Sequence, residues 1–210
     1  MTLTIAEARA MVRAVRRYGR VFQTGSQQRS DSEFLFACEM VRSGRIGELE
    51  TINVNVGGPS VDCYLPGEPV PGKIDWDRWL GPAPWRPYNG GICDLYTASG
   101  WRSYRDYSGG GMTDWGAHHF DIAQWGMGTD HTGPIEVIPP DGKDVDRLTY
   151  KYANGVTVYH GGGRGVRFNG TEGVVEVNRG YLRTWPQELM YKPIGPNETR
   201  LYRSPGHYED

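Results

Sequence analysis

The chain has 210 residues, enough for one domain with a real core, and its balance of 38% hydrophobic to 23% charged residues is that of a folded chain rather than a disordered one. A net charge of -2 with no basic stripe argues against a nucleic-acid partner, and no apolar run approaches the roughly 18 residues a membrane helix needs. Three cysteines, Cys38, Cys63 and Cys93, stand far apart without a CxxC pair, which argues against a disulfide framework or structural zinc and for a reduced, cytoplasmic setting.

Thirty glycines and 14 prolines require many turns and long loops. Thirteen tyrosines and seven tryptophans suit a sugar site, because their flat faces stack on pyranose C–H faces while their polar tips hydrogen-bond. The same rings also suit a core or a sheet face.

The first predicted element is a helix. Thr4 and Glu7 form a capping box, Ile5, Ala8, Met11, Val12 and Val15 make one apolar stripe, and Gly19 stops it. A strand is expected over residues 20–24. A second capping box at Ser30-Asp31-Ser32-Glu33 opens a helix with Phe34, Leu35, Cys38 and Val41 inward, ending near Gly44. Residues 48–56 alternate and predict a strand with one wet face. Residues 57–111 read as a long loop rich in Pro, Gly and aromatics, a length that points to a binding loop. A helix follows from Thr113 to Met127. Six strands are then expected, over residues 135–138, 147–152, 156–160, 166–169, 174–178 and 181–185, with Asn154-Gly155 as a hairpin turn. Hairpin-joined strands predict an α+β fold: a large, mostly antiparallel open sheet with helices packed on one face. Both ends read as cut, with residues 206–210 resembling the start of a helix.

The chemistry concentrates in the segment GGGMTDWGAHHFDIAQW, residues 109–125. The glycines permit a tight backbone turn. Asp114 and His118, four apart, share one helix face. A His one turn from a carboxylate is a workable acid/base pair, able to take a proton from a sugar hydroxyl. Asp114 qualifies equally as a helix cap and His118 as a satisfied core histidine, and spacing alone leaves these readings open. Adjacent His118 and His119 diverge by about 100° on a helix, so no metal is expected.

Five motifs in order carry a resemblance: the opening TLTIAEARAMVRAVRRYGRVFQTGSQQRS, the loop DWDRWLGPAPWRPY, the helix RDYSGGGMTDWGAHHFDIAQW, the hairpin YANGV, and GTEGVVEVNRGYLRTW. Together they span nearly the whole chain, which resembles the Gfo/Idh/MocA oxidoreductases and, among them, sugar dehydrogenases. The resemblance implies a two-domain enzyme, with NAD or NADP on an N-terminal Rossmann domain and the substrate on a C-terminal open-sheet domain that also forms oligomers. Residues 1–210 correspond to that second domain alone. Asp114 and His118 are then the implied catalytic pair. His119, Arg105, Tyr107, Trp85 and Arg86 are implied to contact a sugar or polyol, with Trp79 also bordering the cleft. Gln28 and Arg29 are implied to approach the nicotinamide.

The departures restrict this reading. No GxGxxG follows a strand; Gly161-Gly162-Gly163-Arg164-Gly165 has the wrong spacing and leaves a hairpin strand. The family's Glu-Lys-Pro motif, whose lysine completes the catalytic set, does not precede Thr2. Without a glycine turn at a helix N-terminus nothing here holds a pyrophosphate, so the chain is not expected to bind NAD(P) tightly or turn it over alone. Two other classes fit the same residues: a stand-alone carbohydrate-binding or interaction module, and a glycoside-cleaving hydrolase or lyase using Asp114 and His118.

Overall fold

The computed structural model describes residues 2–94 and 100–206. The chain forms two units, Met1–Gly25 with Gly57–Trp115, and Ser26–Val56 with Gly116–Asp210.

In the first unit Thr4 caps α1, Ile5–Tyr18. Its hydroxyl accepts from the Glu7 N–H while the Glu7 carboxylate accepts from the Thr4 N–H, the predicted box. Gly19 closes the helix at φ 58°, where a Cβ would be penalised. No residue of α1 is buried, and Ile5 and Val12 stay largely exposed. The strand expected over residues 20–24 does not form. This segment is exposed throughout and no other segment pairs with it among the described residues, so it has no ladder to join.

The long segment after residue 57 is less structureless than its composition suggests. Asp75 caps a short helix, α2, Trp76–Leu80, and 3-10 turns lie at Gly90–Cys93 and Trp101–Ser103. Trp76, Leu80, Tyr88, Ile92 and Tyr104 form a small core of their own. Loops of this length hold still only when they bury something. Trp76 stacks on Trp79 at 4.8 Å and meets Tyr88 edge-on at 5.1 Å.

The second unit is a seven-stranded sheet with two helices on one face. The strands are β1 Leu49–Val54, β2 Glu136–Ile138, β3 Thr149–Lys151, β4 Thr157–His160, β5 Val166–Gly170, β6 Val174–Asn178 and β7 Tyr181–Trp185, in the order β2-β3-β4-β1-β5-β6-β7. Every neighbouring pair is antiparallel except β1 with β4. The expected hairpin joins β3 to β4, with Gly155 at φ 87° and Asn154 Oδ1 accepting from the Val156 N–H. The run Gly161–Gly165 carries β4 past the end of β1 into β5, held there by Asn53 and Asn55 amides donating to the Gly161 and Gly163 carbonyls.

Alternation sorts the sheet into two faces. Ile52, Val54, Val158, Val166, Phe168, Val175 and Val177 join one core with α3, Ser32–Arg42, and α4, Asp114–Met127. The cap of α3 is Asp31, not Ser30: the Asp31 carboxylate accepts from the Glu33 N–H, while Ser30 belongs to a preceding 3-10 turn, Gln27–Ser30. This corrects the predicted box by one residue, because an Asp carboxylate reaches the second helical N–H from where it stands. Phe34, Leu35, Cys38 and Val41 point inward as their spacing predicts. Gly126 lets α4 approach the sheet closely, since a Cβ there would lie 2.5 Å from the Phe168 ring.

The last described stretch is pinned by one ion pair. The Arg45 guanidinium binds both Glu198 oxygens at 2.6 and 2.7 Å and donates to the Lys192 and Pro193 carbonyls. That contact holds the Glu198 carboxyl down at about 2. A depressed folded-state pKa stabilises above the unfolded value and loses the effect as pH falls through the folded one. Glu198→Gln is therefore expected to lower the urea midpoint at pH 7. The gap from the parent should close between the ordinary carboxylate range and about pH 2. Parallel urea titrations across that range check it.

Candidate functional site

The first unit holds a cleft of about 1120 Å³. One wall is the start of α1, through Leu3, Thr4 and Glu7; another is Trp79 with Pro82 and Pro84; the floor includes Trp101, Tyr107 and the glycine-led turn to Asp114. The volume exceeds the upper range of ordinary small-ligand pockets, roughly 300–1,000 Å³. Trp79, Trp101 and Tyr107 give it flat apolar surfaces, and Glu7, Asp106 and Asp114 give it carboxylates.

Asp114 is aimed by a backbone crossing. Gly110 adopts φ 74°, and a Cβ on it would lie 2.5 Å from the Ser60 nitrogen and 2.6 Å from the Pro59 carbonyl carbon. A Cβ on Gly111 would lie 2.7 Å from the Gly57 Cα. Met112 and Ser60 N–H groups donate to the Gly58 and Gly109 carbonyls, which locks the crossing. The chain then turns into α4, with Asp114 in its first turn, where the helix dipole favours a carboxylate.

Arg102 completes the arrangement and was not legible in the sequence. Its Nε lies 3.3 and 3.4 Å from the two Asp114 oxygens, and its guanidinium lies over the Trp101 ring at 4.7 Å. The eleven residues between them contain the turn that brings them together, and no spacing rule relates such positions.

The predicted residues fall into two groups. In the first unit, Tyr107 lines the cleft and packs edge-on against Trp79 at 5.8 Å, and burial raises its hydroxyl pKa. Arg105 is exposed and pairs with Asp62 at 3.5 Å. Arg86 braces the loop by donating to the Cys63 and Leu65 carbonyls, while its own carbonyl accepts from the Trp76 indole. Trp85 is 72% exposed and does not line the cleft.

The remaining residues belong to the second unit. His118 follows Asp114 by one turn along α4 and is half-buried. His119 is 1% exposed, meets Phe34 edge-on at 6.3 Å and has its Nε2 3.3 Å from the Asn178 amide oxygen. Gln28 is equally buried in its 3-10 turn. Arg29 clamps that turn to Asp121 on α4 and to Asp130 in the turn after it, both at 2.7 Å, and lies over the Trp125 ring at 5.3 Å. Its hydrogen bond to Asp121 raises its already high pKa further.

A dinucleotide does not fit the described residues. Gly161–Gly165 leads from strand to strand, with no helix N-terminus to receive a pyrophosphate. The glycine run that does open a helix, Gly109–Gly111, presents Asp114 there, and like charge would repel a phosphate.

A family model described as the oxidoreductase family's C-terminal alpha/beta domain, of Gfo/Idh/MocA type, matches residues 59–183, more than half of the chain. The chain belongs to the Gfo/Idh/MocA oxidoreductase family. No curated protein matches the chain as a whole. Among solved structures it is similar in fold to an aldose-aldose oxidoreductase from Caulobacter crescentus, crystallised with glycerol. That match has 18% identity and a TM-score of 0.56 and covers 98% of this chain and 54% of the other. It is also similar to an NAD-binding protein from Listeria innocua, at 19% identity and a TM-score of 0.52, covering 87% of this chain and 48% of the other. The chain thus spans about half the length of these family structures. The described residues contain no helix long and apolar enough to cross a membrane.

The glycine crossing yields a direct test. Gly110→Ala must place a Cβ against the 59–60 backbone at a positive φ, which should destabilise the fold by about 1–3 kcal/mol. Gly133→Ala, where the added methyl meets open space, should be nearly silent. Thermal melts of both variants give the comparison.

Proposed function

We propose that these 210 residues are the substrate domain of a sugar or sugar-derivative oxidoreductase, and that the nucleotide is held by residues outside them. The observation that carries the reading is the aromatic, carboxylate-lined cleft with Asp114 at the head of α4. The family match and the sugar oxidoreductase among the fold neighbours support it.

In this reading a pyranose stacks on Trp79 and Trp101, and Asp114 accepts a hydrogen bond from one of its hydroxyls. Arg102 fixes the rotamer of that carboxylate. His118, one turn after Asp114 along α4, is the acid/base residue that the family resemblance implies, a role suited to an imidazole near neutral pH. Tyr107 supports the stacking platform through its contact with Trp79. The oxidant, NAD or NADP, supplies hydride chemistry from another domain. The three separate thiols fit a reducing, cytoplasmic setting.

Calorimetric titration of the purified chain is the test. NAD(H) and NADP(H) should give no saturable heat. A sugar or polyol from a hexose and hexitol panel should bind, and Trp79→Ala should weaken it about tenfold, the effect of losing one stacking ring. Micromolar dinucleotide binding would refute the division of labour.

The sheet face opposite the helices is proposed to pair with a second copy. A row of polar residues crosses it in register, Tyr159, Asn53, Arg167, Glu176 and Arg183. Within the row Glu176 is buried and accepts from the Arg164 N–H and the Tyr181 hydroxyl, so the arginines are the charges left to meet a two-fold-related copy. Arg167 and Arg183 are further ordered over Trp185 and Tyr181 at 5.2 and 5.5 Å. Sedimentation should show a dimer or larger assembly, and the Arg167→Glu/Arg183→Glu double variant should shift it to monomer.

A further inference from the structure

We infer that the cleft of the first unit selects amino sugars and neutral sugars over sugars that carry a carboxylate or phosphate. The inference rests on the carbohydrate reading above and names the substrate class within it.

Charge is the deciding feature. Among the described residues, the ionisable side chains that line the cleft are Glu7, Asp106, Asp114 and Tyr107, with no Lys or Arg. Three arginines of the same unit are engaged. Arg102 faces Asp114 at 3.3 Å and lies over Trp101, Arg105 faces Asp62, and Arg86 donates to two backbone carbonyls. An acidic sugar would bring its carboxylate beside those of Glu7 and Asp106, with Asp114 already paired to Arg102. Recognition of sugar acids and phosphates ordinarily uses a bidentate arginine.

An ammonium group meets the opposite situation. The Glu7 carboxylate is held in place by the Leu3 and Thr4 N–H groups through Oε2 at 2.7 and 3.2 Å. Asp106 is exposed at the rim, where its charge reaches an entering ligand. The Trp79 and Trp101 faces attract a cation through the ring quadrupole and stack on the C–H face of a neutral pyranose equally well. The cleft therefore ranks ligands as amino sugar first, neutral sugar next, acidic sugar last.

The experiment is a calorimetric titration of the 210-residue chain with matched trios, each a hexosamine, its hexose and its uronate, in the gluco, galacto and manno series. At low salt the uronate should bind at least about tenfold more weakly than its hexose, ~1.4 kcal/mol, and the hexosamine at least as tightly. Because exposed charges are screened, 0.5 M salt, an ionic strength with a Debye length of only about 4 Å, should narrow the gap. Asp106→Asn changes an exposed side chain outside any core and should narrow it as well. A uronate that binds as tightly as its hexose overturns this inference and leaves the carbohydrate reading standing. An unchanged gap in Asp106→Asn places the discrimination elsewhere and also overturns it. No binding by any member of the trios refutes the carbohydrate reading itself, and the inference with it.

Discussion

The crossing of two backbone segments at Gly57–Ser60 and Gly109–Gly111 is the constraint on which the candidate site depends. The segments approach this closely because Gly110 and Gly111 carry no side chain where they meet the 57–60 backbone, and Gly110 in addition holds a left-handed conformation. The crossing does two things at once. It ends the long loop at a defined point, and it sets the direction in which α4 begins. Asp114 inherits its position from that geometry rather than from its own contacts. Arg102 then restricts the carboxylate to one orientation, and it is itself held by its place over Trp101.

The second unit solves a different problem. A seven-stranded open sheet needs one face covered, and α3 with α4 covers it using Phe34, Met40, Ile122 and Trp125 against the valines and Phe168 of the strands. The close seat at Gly126 brings α4 down onto β5. Arg29 reinforces α4 from the side by bridging to Asp121 and Asp130. With both carboxylates on its guanidinium, Arg29 acts as a clamp whose removal would leave two acids side by side. The opposite face carries ordered arginines and asparagines, with Arg167 over the Trp185 ring.

Much of this was legible because it depends on local pattern. The capping box at Thr4, the stop at Gly19, the hairpin at Asn154-Gly155 and all six later strands follow from period and turn chemistry, which act over a few residues. The failures share a cause as well. Residues 20–24 read as a strand from their local composition, but pairing is a property of a neighbour, and none pairs with them among the described residues. The core of Trp76, Leu80, Tyr88, Ile92 and Tyr104 assembles residues up to 28 apart with no period, so composition suggested only a loop. Asp114 was found from its glycines and its spacing to His118. Arg102 was not, because its partner is reached through a turn whose geometry no short motif encodes.

The position of Asp114 also bears on the division of roles along α4. A carboxylate in the first turn meets the positive end of the helix dipole, and here it meets a guanidinium too. A carboxylate so held accepts hydrogen bonds, which suits the proposed holding of a substrate hydroxyl. His118 stands one turn later along α4, and imidazoles are the side chains that exchange protons near neutral pH. The asymmetry follows from where each residue stands on the helix, so interchanging Asp114 and His118 should not conserve their roles even though it conserves their spacing. An imidazole at residue 114 would face Arg102 across about 3 Å and lose its capacity to charge.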